Sequence, residues 1–190
     1  MIYHFILNPK SGQSRRERSI DELIKTVCKE RHLDYHIYYT TCRGDATEYV
    51  RSMVKISQER QRFICVGGDG SINEIVNSAP CNPNIEFGVI PKGSGNDFVR
   101  NFGKKKDFLD VASQLDGKSR KIDLIKCGEK YAVSQCSMGL DAEVCAKQAA
   151  FKKLPFMSGE MAYTASLVFC ILTKSSNVFE ISIDELSIGM

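Results

Sequence analysis

The feature that most constrains this chain is a recurrence: three short apolar runs each end in a cluster rich in glycine and small polar residues. Tyr3 to Leu7 runs into Asn8-Pro9-Lys10-Ser11-Gly12, Arg62 to Val66 into Gly67-Gly68-Asp69-Gly70-Ser71, and Phe87 to Ile90 into Pro91-Lys92-Gly93-Ser94-Gly95-Asn96-Asp97. Between these runs the apolar spacing switches from strand-like to helix-like. Ile20, Leu23, Ile24, Val27 and Cys28 predict a helix ending near Arg31, Tyr35, Ile37 and Tyr39 alternate as a strand, and Ala46, Tyr49, Val50, Met53 and Val54 return to the helical period. Ile72, Ile75 and Val76 give another helix; Val111, Ala112 and Leu115 give one more, before a strand over Ile122 to Ile125. Alternating strands and helices imply a parallel sheet covered by helices, the α/β class.

Beyond about Asp123 the grammar changes. Tyr131 to Ser137 reads as a strand, Met138 to Ala150 and Gly159 to Leu172 as helices, and Val178 to Asp184 alternates as antiparallel strands do. A chain of 190 residues exceeds one average domain of about 150. The expected organisation is therefore an α/β domain over residues 1–125 and the start of a second, mainly antiparallel β domain over residues 126–190.

Composition excludes more than it selects. Hydrophobic residues make up 43% and charged residues 26%, with 5 prolines, which rules out collagen-like, mucin-like and disordered chains. The net charge of +3 is too small to mark a nucleic-acid binder, so no nucleic-acid partner is expected. The eight cysteines fall at scattered spacings without a CxxC pair, several within apolar runs such as Phe63-Ile64-Cys65-Val66, and buried reduced thiols are the expectation. Met1 to Leu7 is too short and too soon followed by Asn8-Pro9 for a secretory leader, and Ala165 to Leu172 is too short to span a bilayer. The expected location is the cytoplasm.

Open α/β sheets bind ligands beyond the carboxyl ends of their strands. The three clusters should share that edge. Gly67, Gly68 and Gly70 allow successive backbone N–H groups to converge on an anion at a helix N-terminus, which suits phosphate. Asp69 within such a nest would repel a phosphate unless a cation such as Mg²⁺ intervened. The same loop also reads as a tight strand-to-helix turn with Asp69 as a cap. Taken singly, Asp97 is a helix N-cap, Asp123 a surface residue on a strand and Ser11 a turn former, while Lys10 and Lys92 are either positive charge near the phosphates or solvated loop lysines. No GxxxxGK[ST] occurs, and Asn73 and Phe98 replace the last glycine of GxGxxG, so P-loop and dinucleotide-binding readings fall away. The protein-kinase motifs are absent too.

Asn8-Pro9-Lys10-Ser11-Gly12, Gly67-Gly68-Asp69-Gly70-Ser71-Ile72-Asn73-Glu74 and Gly88-Val89-Ile90-Pro91-Lys92-Gly93-Ser94-Gly95-Asn96-Asp97-Phe98, in this order, resemble the diacylglycerol kinase catalytic domain family, most of all its soluble bacterial branch. Thr40 with Gly44-Asp45-Ala46, Lys121-Ile122-Asp123 and Gly139-Leu140-Asp141-Ala142 continue the likeness. The resemblance implies a Rossmann-like nucleotide-binding domain of the phosphofructokinase and NAD kinase type. It implies ATP and Mg²⁺ as cofactors, and a reaction that moves the γ-phosphate to a diacylglycerol-like lipid hydroxyl at a membrane surface. By position, Asn8, Pro9, Lys10, Ser11 and Gly12, the loop Gly67, Gly68, Asp69, Gly70, Ser71, Ile72, Asn73 and Glu74, and Thr40, Gly93, Ser94 and Asn96 would hold the nucleotide. Asp69, Asp97 and Asp123 would be the catalytic acids, with Asp69 and Asp97 arranging the metal, directly or through water.

The resemblance also sets limits. In the family the general base comes from later in the second domain, so none is assigned here, and His4, His32 and His36 lie away from the three loops. The second domain is expected to be truncated, leaving a sheet edge open to homodimerisation. Alternatives are an NAD kinase-like or phosphofructokinase-like phosphotransferase, or a non-catalytic ATP-binding fragment. Lys104-Lys105-Lys106 and Lys152-Lys153 are either contacts with anionic lipid or solvated faces.

Overall fold

The computed structural model describes residues 1–9, 20–93, 95–151, 157, 159–173, 181–183 and 186–188. They fall in two compact units, Met1–Gln135 and Cys136–Met190. The first unit is built on four parallel strands, β1 (Ile2–Leu7), β2 (Tyr35–Tyr39), β3 (Gln61–Gly67) and β4 (Ile85–Pro91), in the order β2-β1-β3-β4. Helices α1 (Ile20–Glu30), α2 (Asp45–Ile56) and α3 (Asp69–Ser78) follow the first three strands; a short α4 (Asp97–Arg100), a 3-10 turn at Lys105–Phe108 and α5 (Val111–Asp116) follow the fourth. Because β1 and β3 are adjacent and parallel, with Leu7 opposite Val66, their carboxyl-end loops emerge side by side. Gly67 pairs with Pro91 in the same way, bringing in the third loop.

The sheet is covered on both faces, and the alternation of side chains along each strand shows how. Phe63 and Cys65 pack with Ala46 and Val50 of α2 and with Ile72, Ile75 and Val76 of α3. Ile64 and Val66, one residue out of step, pack with Ile24 and Cys28 of α1 and with Val111 and Leu115 of α5. Every residue of β3 is buried, and each large aliphatic side chain so placed contributes about 1.5–3 kcal/mol. The one charged side chain buried in this strand, Arg62, donates to the Gln114 and Leu115 carbonyls, both at 2.9 Å, and pairs with Glu86 at 2.6 Å. It thereby ties the end of α5 to β4, with a cation at the negative end of the helix.

The strand expected over Ile122 to Ile125 is displaced. Residues 122–124 are not strand; β5 (Ile125–Cys127) turns through Gly128 and Glu129 and pairs antiparallel with β6 (Lys130–Ala132). Gly128 supplies the positive φ, 60°, that a two-residue hairpin turn favours. Asp123 therefore sits on no strand. The hairpin is fastened to α3, because Asn77 donates to the Tyr131 carbonyl at 2.7 Å and accepts from the Tyr131 N–H at 2.8 Å.

The second unit contains α6 (Leu140–Phe151), α7 (Gly159–Leu172) and an antiparallel pair, β7 (Ile181–Ile183) with β8 (Leu186–Ile188). The expected helices are present; residues 152 and 153 and most of the strand expected at 178–184 lie outside the described residues. Among the described residues, no helix is long and apolar enough to cross a membrane. The cysteine expectation needs correcting: Cys28, Cys65 and Cys170 are buried, but Cys42, Cys81, Cys127, Cys136 and Cys145 are exposed. Those five stand outside the packed strand and helix faces that bury the other three.

Candidate active site

Four strand ends open into one cleft of about 530 Å³. Asn8 follows β1, Thr40 to Arg43 follow β2, Gly68 to Ser71 follow β3, and Gly93 and Gly95 follow β4; Ala46, Asn73 and Glu74 line it from the helices. Thr40 is fixed to the neighbouring strand by donating its N–H to the Leu7 carbonyl at 2.9 Å. The loop after Thr40 is held by Asp45, whose carboxylate accepts from the Thr41 N–H at 2.7 Å, the Thr41 hydroxyl at 2.9 Å and the Tyr38 hydroxyl at 2.6 Å. Those three donors, the Tyr38 hydroxyl first, hold the Asp45 carboxyl below the usual range.

The floor is set by two glycine loops in contact. A Cβ on Gly68 would stand 2.9 Å from the Cα of Gly93. Gly68 is the N-cap of α3, which has no side chain capping it. The first turn of that helix, Asp69 to Ser71, lines the cleft, so the positive end of the helix dipole faces a space where an anion can bind.

Asp69 is anchored from the opposite loop. Its carboxylate accepts from the Asn96 N–H at 2.8 Å and the Phe98 N–H at 3.1 Å. Asn96 adopts the left-handed backbone conformation, φ 59° and ψ 45°, and is buried. Its amide group accepts from the Gly93 N–H at 2.9 Å and donates to the Gly93 carbonyl at 2.6 Å. Asp97, by contrast, is largely exposed and pairs with Arg100 at 2.9 Å. Both carboxylates flank Gly95, where a Cβ would lie 3.0 Å from Asp69 Oδ2 and 3.5 Å from Asp97 Oδ2.

The structure thus divides the residues expected at the site. Asn8, Thr40, Gly68, Asp69, Gly70, Ser71, Asn73, Glu74 and Gly93 line the cleft. Gly67 ends β3 just beneath it, and Ile72 is part of the core under α3 rather than a wall. Asn96 is loop interior, its amide engaged with Gly93. Asp97 and Asp123 are outside the lining, both exposed. Pro9 is exposed at the end of the first described segment; Lys10, Ser11, Gly12 and Ser94 lie outside the described residues. The wall at Thr41, Cys42 and Arg43 was not anticipated. The available signal was its place after a parallel strand, followed by Gly44 with φ 89°.

The architecture is that of an open α/β domain whose ligand cleft lies at the strand carboxyl ends. Residues 3–127 match the family model described as Diacylglycerol kinase catalytic domain. The chain belongs to this family and carries its kinase-type catalytic domain. It is 32% identical over 161 residues to a diacylglycerol kinase of Bacillus subtilis (strain 168), covering 83% of this chain and 52% of that protein. It is 31% identical over 160 residues to a diacylglycerol kinase of Staphylococcus carnosus (strain TM300), covering 83% and 51%. A crystal structure of a diacylglycerol kinase from Bacillus anthracis str. Sterne superposes with a TM-score of 0.54 at 24% identity, covering 68% of this chain and 44% of that one, which shows the shared fold. The chain spans about half the length of the curated relatives it matches.

Proposed function

We propose that this chain carries the nucleotide-binding part of an ATP-dependent lipid kinase, which transfers the γ-phosphate to the hydroxyl of a diacylglycerol-like acceptor at a membrane surface. Residues 1–125 form the nucleotide domain in this reading, and residues 126–190 belong to a second domain. The supporting observation is the meeting of Gly68 and Gly93 at the floor of the cleft, which sets the first turn of α3 and the Asp69 carboxylate at one point.

The residues present suit a divalent cation bound with a nucleotide. Mg²⁺ is commonly held by one or two carboxylates together with substrate phosphates. The side-chain position left empty at Gly95 lies between Asp69 and Asp97, the two groups that would hold it. Among the described residues no cluster of three or more metal-ligating side chains exists, which fits a metal that arrives with phosphates. When bound, Mg²⁺ neutralises charge on the phosphates during transfer. The chain's own residues do the positioning. The α3 N-terminus and the Gly68 to Ser71 backbone hold phosphate, and Asn8 and Thr40 bound the pocket; Lys10, Ser11, Gly12 and Ser94 are assigned to the nucleotide by their motifs alone. Asp123 has no place in the cleft lining, and no role is proposed for it.

The test is Mg-ATP titration calorimetry on the native chain, Asp69→Ala and Gly68→Val, beside a transfer assay with labelled ATP and a lipid panel. The native chain binds and both variants lose binding. Equal binding by all three would overturn the site. Binding without transfer by the homogeneous chain would favour a non-catalytic ATP-binding fragment. Transfer to NAD or fructose 6-phosphate and to none of the lipids would favour the related sugar and NAD kinases.

A further inference from the structure

Positive charge is concentrated between Arg100 and Lys121. That segment contains Arg100, Lys104, Lys105, Lys106, Lys118, Arg120 and Lys121 against Asp107, Asp110 and Asp116, a net of +4 where the whole chain carries +3. The acids are already engaged: Asp107 accepts from the Lys104 N–H, Asp110 caps α5 through the Ser113 N–H, and Asp116 pairs with Arg31. Lys104, Lys105, Lys106, Lys118 and Lys121 are exposed and take part in none of the ion pairs among the described residues.

Eleven residues separate the two lysine groups, and a tertiary contact links the segments that carry them. The Arg120 guanidinium lies over the Phe102 ring, 4.4 Å from its centroid. This contact ties the segment that carries Lys118 and Lys121 to the one that leads into the turn beginning at Lys104. Leu109 and Ile122, 41% and 39% exposed, flank the cations. We propose that this surface docks the protein on an anionic lipid bilayer, its lysines meeting headgroup phosphates and Leu109 and Ile122 entering the interface. Nucleic acid fits it less well. Single-strand binders offer open aromatic faces for base stacking, and Arg120 covers a face of Phe102. The surface also adjoins the cleft loop, since α4 starts at Asp97 and ends at Arg100.

The proposal deepens the lipid-kinase reading and rests on it for its purpose, but its test uses no nucleotide and no turnover. Sedimentation with phosphatidylglycerol–phosphatidylcholine vesicles is compared for the native chain, K104A/K105A/K106A, K118A/K121A, L109S/I122S and the control K29A/K55A. At about a fivefold loss per lysine, the triple variant should bind about 100-fold more weakly and K118A/K121A some tens of fold. L109S/I122S should weaken binding severalfold, the control should match the native chain, and high salt should release the protein. Unchanged melting temperatures show that the variants are folded. Vesicle binding unaffected by the lysine changes overturns the proposal. So does tighter binding to a labelled oligonucleotide, lost with the lysines but indifferent to L109S/I122S. Failure of Mg-ATP binding alone would overturn the kinase reading and leave the docking surface standing.

Discussion

Gly68 and Gly93 meet backbone to backbone at the cleft floor: a Cβ on Gly93 would stand 2.5 Å from the Cα of Gly68. Neither position has room for a methyl group. Gly68→Ala and Gly93→Ala should each cost about 1–3 kcal/mol, the range for overpacking a filled space, and should weaken Mg-ATP binding by parting the loops. Gly70 stands in the same motif with nothing within 4 Å of its Cβ position, inside the first turn of α3. Gly70→Ala should leave stability unchanged or raise it by up to about 1 kcal/mol. Urea unfolding of the three variants separates close approach from mere glycine content.

Asn96 should act on the site through Asp69. Asn96→Gly keeps the left-handed backbone available and preserves the N–H donated to Asp69, but removes the two hydrogen bonds to Gly93. Asn96→Ala removes the same bonds and also strains a backbone at φ 59°. The alanine variant should therefore be less stable than the glycine variant by about 1 kcal/mol. Both should lose Mg²⁺-dependent nucleotide affinity while nucleotide binding without the metal changes little. Calorimetry with and without Mg²⁺ checks this, and an equal loss in both would mark Asn96 as a direct contact.

His4 predicts a pH dependence of stability. It is buried on β1, stacked on Phe63 and His36, with its Nδ1 3.0 Å from the Tyr49 hydroxyl. Burial first, and the charge of His36 second, lower its pKa from 6.5 to about 4. The unfolded chain therefore takes up a proton that the folded chain refuses as pH falls from 6.5 to about 4. Stability should decline across that window by at most about 3 kcal/mol. His4→Phe should flatten the decline in urea unfolding across these pH values. An unchanged slope would place its origin elsewhere.

Glu86 should act at still lower pH. Burial pushes its carboxyl up, but the Ser119 hydrogen bond and the Arg62 and Arg60 guanidiniums outweigh that, and the net shift is downward. A carboxylate lowered on folding stabilises the protein above its ordinary range, and that stability is lost as pH falls through its folded value. Glu86→Gln leaves Arg62 buried without its charge partner, an uncompensated charge that costs about 3–5 kcal/mol. Unfolding near neutral pH should show most of this loss.

The Asn77 amide is the fastening between α3 and the β5–β6 hairpin. Asn77→Ala leaves the Tyr131 N–H and carbonyl without that partner and should cost about 1–3 kcal/mol. Hydrogen exchange at the Tyr131 amide should quicken while the β3 amides keep their protection. Equal acceleration at both would show the hairpin to be part of the global unfolding unit.

Much of this was legible in the residues because it is local. Phe63, Ile64, Cys65 and Val66 alternate between faces because strand side chains do, and Ile24 and Cys28 share a face because helix residues four apart do. Asp69 and Gly93 could be placed at one sheet edge because parallel strands end together. The strand expected at Ile122 went wrong for the same local reason: an alternating pattern does not say which neighbour it pairs with, and Gly128 turned it into a hairpin.

The sequence by itself determined the α/β order and the carboxyl-end loops, with Asp69 among them, as the edge where a cleft opens, since periodicity and turn chemistry are written in adjacent residues. Tertiary structure alone decided that Gly68 touches Gly93, that Asn96 supports Asp69 rather than lining the cleft, and that Thr41 to Arg43 form a wall. It alone laid Arg120 over Phe102 and so linked the lysine-bearing segments on either side of α5. These are contacts between segments remote in sequence, set by how the strands stack and how closely two backbones can approach, and no local pattern encodes that distance.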